Sequence, residues 1–203
     1  MPRQNCNNYQ FHGIRHLEFR PRNGAGRGRA IIERMAGASA SSRVDVIIER
    51  LKDEDIGELL TLQRAAFLLD AQLYGDPFLP PLTQTLEELQ TEATDPNRVF
   101  LAAKRDARLV GSVRALRQGR IIHISRLMTA PDLTRCGIGG SLLGAIETAM
   151  EENAYFFELC TGAKSTENIA MYQRRGYRIV NEKNDESGIA VVNMSKPVVV
   201  AAL

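Results

Sequence analysis

Residues 127–143 constrain the fold more than any other part of the chain, because an apolar strand pattern there leads through a short loop into a glycine-rich helix start. Gly137, Gly139 and Gly140 open that helix, and apolar residues follow them at helical spacing. Glycines allow backbone N–H groups to approach a ligand closely, and the positive end of the helix dipole favours a phosphate or diphosphate. The segment therefore predicts a strand–loop–helix unit that binds an anion.

Two known kinds of phosphate-binding loop fit this spacing poorly. A P-loop ends in Gly-Lys-Ser or Gly-Lys-Thr, whereas Gly140 is followed by Ser141 and Leu142, with no lysine. A dinucleotide fingerprint needs a third glycine, and Leu142 stands at that position. Glu158 lies about where that fold has its ribose-binding acid, so dinucleotide binding is kept as the weaker alternative.

Strand and helix patterns alternate along the chain after residue 43. β-branched or apolar runs predict strands over residues 44–50, 99–104, 109–116, 120–129, 155–160, 177–180 and 189–194. Helical spacing predicts a first helix that Asp53 caps, a second over 85–93, a third over 137–151 and a fourth that Ser165 caps. Three prolines predict an irregular connection over 74–81. The pattern is typical of the α/β class.

Composition narrows the functional classes. The chain has 203 residues, of which 44% are hydrophobic, and this is enough for one core. A net charge of +2 does not demand a polyanionic partner. Three cysteines without a C-x-x-C pair argue against a disulfide framework and against a cysteine-based zinc site, so we expect no metal. No apolar run is long enough for a bilayer or a signal peptide, which predicts a cytoplasmic protein without a membrane partner.

Residues 1–43 differ from the rest of the chain in charge and pattern. They hold eight arginines against two glutamates, a net charge of about +6, which leaves about −4 for the remainder. They show no helical or strand period, so we expect a disordered basic leader before a domain over 44–203. Met35 is an alternative native start. The leader has few aromatic side chains to stack bases, which makes nucleic acid an unfavoured partner.

The loop at 134–139 resembles a known cofactor-binding motif. Its sequence is Thr-Arg-Cys-Gly-Ile-Gly, and the GNAT superfamily of N-acetyltransferases holds the diphosphate of coenzyme A with Gln/Arg-x-x-Gly-x-Gly/Ala. Thr134 departs from that pattern, and the neighbouring Arg135 offers the missing cation. A second segment, 165–177, is similar to the penultimate helix of the family, with Asn168, Tyr172 and a closing Gly-Tyr pair.

This resemblance runs from about residue 44 to 196 and implies a fold, a co-substrate and a site. The fold would be a single GNAT-like α/β domain with a mixed central sheet of about six to seven strands flanked by about four helices. Acetyl-CoA would be the co-substrate, and the strand before the loop would offer main-chain groups to its pantetheine arm. The residues implied for its binding are Leu127, Met128, Thr129, Thr134, Arg135, Cys136, Gly137, Ile138, Gly139, Gly140 and Asn168.

Candidate catalytic residues follow from the chemistry of thioester aminolysis, which needs a neutral amine and a proton for the departing thiolate. The family places its general acid at the position of Tyr172, and the alternative is a tyrosine packed in the core. Glu158, on an otherwise apolar strand, is the leading candidate base, unless it is a paired structural carboxylate. His123 is a second candidate base or a core histidine. Cys136 and Cys160 have no evident histidine partner, so we do not expect covalent catalysis.

The sequence thus predicts an acetyl-CoA-dependent N-acetyltransferase that moves an acetyl group to a primary amine by direct attack. Residues 70–82 carry acidic and aromatic side chains and are the expected acceptor segment, which would suit a cationic amine. The acceptor itself, a small molecule or a protein, stays open. The resemblance is consistent with a homodimer. The alternative function is a sensor or interaction module that binds acetyl-CoA without turnover.

Overall fold

The computed structural model describes residues 45–198, so the predicted leader, the alternative start at Met35 and residues 199–203 lie outside it. Within the described part the chain forms seven strands and five α-helices. The strands are β1 (Ile47–Arg50), β2 (Arg98–Arg105), β3 (Arg108–Gln118), β4 (Ile121–Thr129), β5 (Phe156–Gly162), β6 (Arg178–Asn184) and β7 (Ala190–Pro197). The helices are α1 (Ile56–Tyr74), α2 (Pro80–Thr83), α3 (Leu86–Ala93), α4 (Ile138–Met150) and α5 (Thr166–Arg174).

The strands form one mixed sheet in the order β1-β2-β3-β4-β5-β7-β6. Only β4 and β5 pair in parallel, and each of the other neighbouring pairs is antiparallel. Tight turns with a left-handed residue, Asp106 at φ 55° and Gly119 at φ 62°, close the β2–β3 and β3–β4 hairpins. The predicted mixed sheet and α/β class are confirmed.

Helices cover both faces of this sheet. On one face of β3, the buried Arg114 reaches Glu92 of α3 at 2.7 Å and also contacts Gln63 of α1. On the other face, Gly111 packs directly under α4, against Ile138 and Leu142. Side chains of a strand alternate between its two faces, so β3 separates an α1/α3 layer from an α4 layer.

Two helix starts differ from the sequence predictions. Asp53 begins a short 3-10 turn instead of capping a helix, and α1 begins at Ile56. Asp55 is the N-cap residue of α1. Its side chain makes no cap hydrogen bond, because its carboxylate pairs with Lys104 of β2 at 2.7 Å. The stretch predicted to be irregular contains the short helix α2, whose prolines occupy the first positions, where no helical N–H bond is lost. None of the helices in residues 45–198 is both long and apolar enough to cross a membrane.

The packing of α4 on β3 predicts opposite effects for two glycine-to-alanine substitutions. A Cβ at Gly111 would lie 2.9 Å from Leu142 Cδ1 and 3.1 Å from the Met128 carbonyl oxygen, whereas a Cβ at Gly57 would meet nothing within 4 Å. We expect Gly111→Ala to lower the free energy of unfolding by about 1–3 kcal/mol through overpacking. Gly57→Ala should raise it by up to about 1 kcal/mol through reduced unfolded-state entropy. Urea denaturation measures both, and equal stabilities for the two variants would contradict this packing.

Candidate active site

The parallel strands β4 and β5 separate after a short paired segment. They pair only from Ile121 opposite Phe156 to Ile124 opposite Leu159, although both strands continue beyond these residues. Arg126 has a positive φ of 50°, and the register of β4 against β3 shifts beside it, which marks a β-bulge. The edge of β4 over Leu127, Met128 and Thr129 therefore has no strand partner on the β5 side. These are the three β4 residues predicted to offer main-chain groups to acetyl-CoA.

The start of α4 is open to an anion. Its N-cap Gly137 is left-handed, with φ 84°, and no side chain caps the helix. By contrast, Thr85 caps α3 and exchanges reciprocal bonds with Glu88. The N–H groups of the first turn of a helix have no carbonyl partner within it, so the amides of Ile138 and Gly139 are available to a ligand. Local geometry thus supports the predicted diphosphate position.

Gly139 connects this helix start with the gap between the strands. A Cβ built there would lie 3.7 Å from Thr129 Oγ1 and 3.8 Å from Met171 Sδ. The glycine therefore faces the space between the end of β4 and helix α5. Gly140 has a packing role in addition, since Arg175 donates a hydrogen bond of 2.6 Å to its carbonyl oxygen. The unpaired edge of β4 and the amides of α4 are thus adjacent to one another.

The predicted loop cation lies at the mouth of this site. Arg135 is left-handed, with φ 62°, and its largely exposed side chain pairs with the exposed Glu167 of α5. Exposed ion pairs contribute little to stability, so an incoming phosphate can replace the Glu167 carboxylate at low cost. Asn168 is exposed in the same first turn of α5.

Two other predicted loop residues bond within the loop itself. The Thr134 hydroxyl bonds the carbonyl of Pro131 at 3.4 Å, and the Cys136 thiol bonds the carbonyl of Thr134 at 3.5 Å.

Tyr172 lies at the inner end of the site. It is buried on α5, with its ring 5.8 Å from that of Tyr177 in an edge-on arrangement. Burial raises the pKa of Tyr172 well above its ordinary value, and the nearby Cys160 and Asp70 raise it further. Cys160 is the first residue of β5 beyond the segment paired with β4. The phenol therefore stays protonated at physiological pH and lies beside the open end of the strand pair.

Glu158 and His123 are neighbours across the parallel pair. They occupy matched positions on β5 and β4, and His123 Nδ1 lies 3.7 Å from Glu158 Oε2. Glu158 is 6% exposed, and its Oε2 atom has no hydrogen-bond partner. Burial raises the pKa of Glu158 and lowers the pKa of His123, so both groups are shifted toward their neutral forms. The structure thus brings together the two predicted candidates for the base.

A family model described as an acetyltransferase (GNAT) domain matches residues 76–198. The chain belongs to the GNAT acetyltransferase family. Among curated proteins, the UPF0157 protein YqkA of Bacillus subtilis strain 168 is 24% identical over 121 residues, which are 60% of this chain and 34% of that protein. The chain therefore spans about a third of the length of the curated relative it matches.

Solved structures share the GNAT fold with this chain. The PaiA N-acetyltransferase of Thermoplasma acidophilum, in complex with coenzyme A, matches with a TM-score of 0.66 and 20% identity, over 76% of this chain and 99% of that chain. The ribosomal-protein-S18-alanine N-acetyltransferase of Escherichia coli matches with a TM-score of 0.64 and 14% identity, over 78% and 97% of the two chains. At these identities the likeness establishes the fold.

Ser165 contacts two residues of the expected acceptor segment 70–82, and sequence reasoning did not predict these contacts. Ser165 occupies the N-cap position of α5, as predicted, but its side chain makes no cap bond. Its hydroxyl lies 3.2 Å from the Tyr74 hydroxyl, and its interaction with the Asp70 carboxylate lowers the pKa of Asp70 against the larger effect of burial. The Tyr74 hydroxyl accepts a hydrogen bond of 2.9 Å from the Lys164 amide. Asp70 and Tyr74 are four residues apart on α1, and this i, i+4 spacing was the available signal.

The open start of α4 predicts the effect of a charge placed beside it. Gly139→Glu should reduce the affinity for acetyl-CoA by at least about 100-fold, because a carboxylate would fill the gap beside Thr129 and repel the diphosphate. Isothermal titration calorimetry measures the loss.

Thr148→Glu provides the matched control, since it adds the same charge at an exposed position of α4, about 13 Å along the helix. It should bind acetyl-CoA as the wild type does. Equal affinities of the two variants for acetyl-CoA would show that the diphosphate does not bind at this helix start.

Proposed function

We propose that this protein transfers the acetyl group of acetyl-CoA to a primary amine by direct attack. The observation that supports the proposal is the adjacency of the uncapped start of α4 and the unpaired edge of β4, with the buried Tyr172 near Cys160 at the end of the paired segment. The helix start suits a diphosphate, the strand edge suits an extended amide-bearing arm, and a buried phenol suits a departing thiolate. Acetyl-CoA has these three parts in this order.

The binding residues act mainly through their backbones. The first-turn amides of α4, with Arg135 at the mouth, hold the diphosphate, and β4 main-chain groups at residues 127–129 hold the pantetheine arm. A backbone N–H at the same strand edge polarises the thioester carbonyl, where negative charge grows during attack. Gly139 keeps the gap between β4 and α5 open, since a Cβ there would enter it.

Glu158 accepts a proton from the acceptor amine, and Tyr172 donates a proton to the leaving sulfur. The Glu158 carboxylate takes a proton from the ammonium, and the neutral nitrogen then attacks the thioester carbon. The C–S bond breaks as the sulfur takes the phenol proton of Tyr172, and the phenolate regains a proton from the new amide nitrogen. Burial raises the pKa of Tyr172, which makes the return of its proton strongly favourable.

Glu158 suits the role of the base because its basic neighbour is His123. Asp55, Glu92 and Glu147 each pair with a lysine or arginine, but the basic group within ion-pair distance of Glu158 is a histidine whose pKa is itself lowered. A carboxyl group with a raised pKa accepts a proton more readily near neutral pH than an ordinary one. Neutral His123 helps to orient the carboxylate without fixing its charge.

Removal of the two buried phenols should separate catalysis from packing. We expect Tyr172→Phe to lower kcat about 100-fold or more, with the affinity for acetyl-CoA unchanged, because the leaving thiolate loses its proton donor. Tyr177→Phe removes a hydroxyl that bonds Glu147 at 2.7 Å, so it should lower stability but change kcat less than about threefold. A thiol-release assay with a panel of amines measures kcat. Acetyl-CoA binding without turnover by the wild type would favour a sensor over an enzyme.

The raised pKa of Glu158 predicts the acidic side of the pH profile. The base acts when ionised, so kcat/KM should rise with pH through a pKa above the usual glutamate range. Glu158→Gln should lower kcat/KM about 100-fold and remove this rise. Glu182→Gln, at an exposed position of β6, is the control and should keep the wild-type profile. An unchanged acidic limb in Glu158→Gln would exclude Glu158 as the base.

A further inference from the structure

Asp70 is a half-buried carboxylate that lacks a cation. No lysine or arginine of residues 45–198 lies within ion-pair distance of it, although burial raises its pKa. Three other carboxylates removed from solvent have such a partner at 2.7 Å, namely Asp55 with Lys104, Glu92 with Arg114, and Glu147 with Lys196, whereas within this range the candidate base Glu158 has only His123 nearby. A desolvated carboxylate without a counter-charge is costly unless a ligand supplies one.

The groups around Asp70 are a hydroxyl and an aromatic ring, and they bring no counter-charge to its carboxylate. The Ser165 hydroxyl lies 3.2 Å from the Tyr74 hydroxyl and interacts with the Asp70 carboxylate, and it makes no cap bond at the start of α5. Lys164 places its ammonium 5.7 Å over the Tyr74 ring and forms no ion pair with Asp70. The interaction partner of Asp70 is thus a neutral hydroxyl group, and no lysine or arginine of residues 45–198 pairs with its carboxylate.

The position of Asp70 fits the approach of an acceptor. Tyr74, one turn further along α1, lies directly over Gly162 at the end of β5, so close that a Cβ at Gly162 would collide with its hydroxyl. Asp70 also acts electrostatically on Tyr172 of α5. The inner face of α1 therefore borders the open end of the β4–β5 pair from the side opposite α4, where an amine can enter without crossing the coenzyme site.

We propose that Asp70 binds the protonated amine of the acceptor and selects alkylammonium substrates over neutral amines. This assignment rests on the proposed function and adds its substrate class. The ammonium forms an ion pair with Asp70, its proton passes to the Glu158 carboxylate, and the neutral nitrogen attacks the thioester carbon. Asp70 keeps its charge throughout, so it is a binding residue that sets specificity and is separate from the base.

The test compares benzylamine, which is an alkylammonium at neutral pH, with aniline, which is neutral, within a wider amine panel. In Asp70→Asn we expect the KM for benzylamine to rise at least tenfold, with kcat within about threefold of the wild type. The KM values for aniline and acetyl-CoA should not change, and Asp70→Glu should recover part of the loss. Glu87→Gln, which removes an exposed carboxylate from α3, should match the wild type with both amines.

The outcomes separate this inference from the proposed function. If the wild type turns over no amine, the proposed function fails and the assignment of Asp70 fails with it. If the wild type favours alkylammonium substrates and Asp70→Asn keeps that preference, only the assignment of Asp70 is overturned. A merely structural role would change the KM for both amines equally or lower the melting temperature, and it would leave the ratio between them unchanged.

Discussion

The short parallel pairing of β4 and β5 is the constraint on which the rest of the molecule depends. Four matched residues join the two halves of the sheet, and beyond Ile124 and Leu159 the strands separate. A bulge at Arg126 bends β4 while its other edge stays bonded to β3. If the pairing continued, the main-chain groups at 127–129 would bond to β5, and no strand edge would be left for a ligand.

The two layers of helices divide the chemistry between the faces of the sheet. On one side, α4 contributes unpaired amides and α5 contributes Tyr172, so that side suits the anionic coenzyme and its leaving sulfur. On the other side, α1 contributes Asp70, so that side suits a cation. Burial raises the pKa values of both Tyr172 and Asp70. It therefore keeps the phenol protonated, and it makes an ionised carboxylate costly unless a cation pairs with it. In the proposed function, the anionic coenzyme and the cationic acceptor would therefore enter from opposite faces of the sheet and meet at the strand gap.

Local patterns predicted most of the fold, because strand and helix periods and glycine-rich turns are properties of short segments. The loop at 134–139 was predictable for the same reason. The bonds of the helix-cap residues were not predictable from local sequence. Asp55 pairs with Lys104 and Ser165 contacts Tyr74, and these partners lie far away in the chain. Likewise, sequence alone could name Glu158 and His123 but not their adjacency, which depends on the register of two strands far apart in the chain.

Tyr74 and Gly162 are in close contact although they lie far apart in the chain. Any side chain at 162 would have to displace the phenol, and with it the hydroxyl that bonds both Ser165 and the Lys164 amide. A larger residue at 162 therefore requires the Tyr74 side chain to move or a smaller residue to replace it. In the proposed function this contact lies beside the path of the acceptor, so the pair of residues at 74 and 162 would set how bulky an acceptor the site admits.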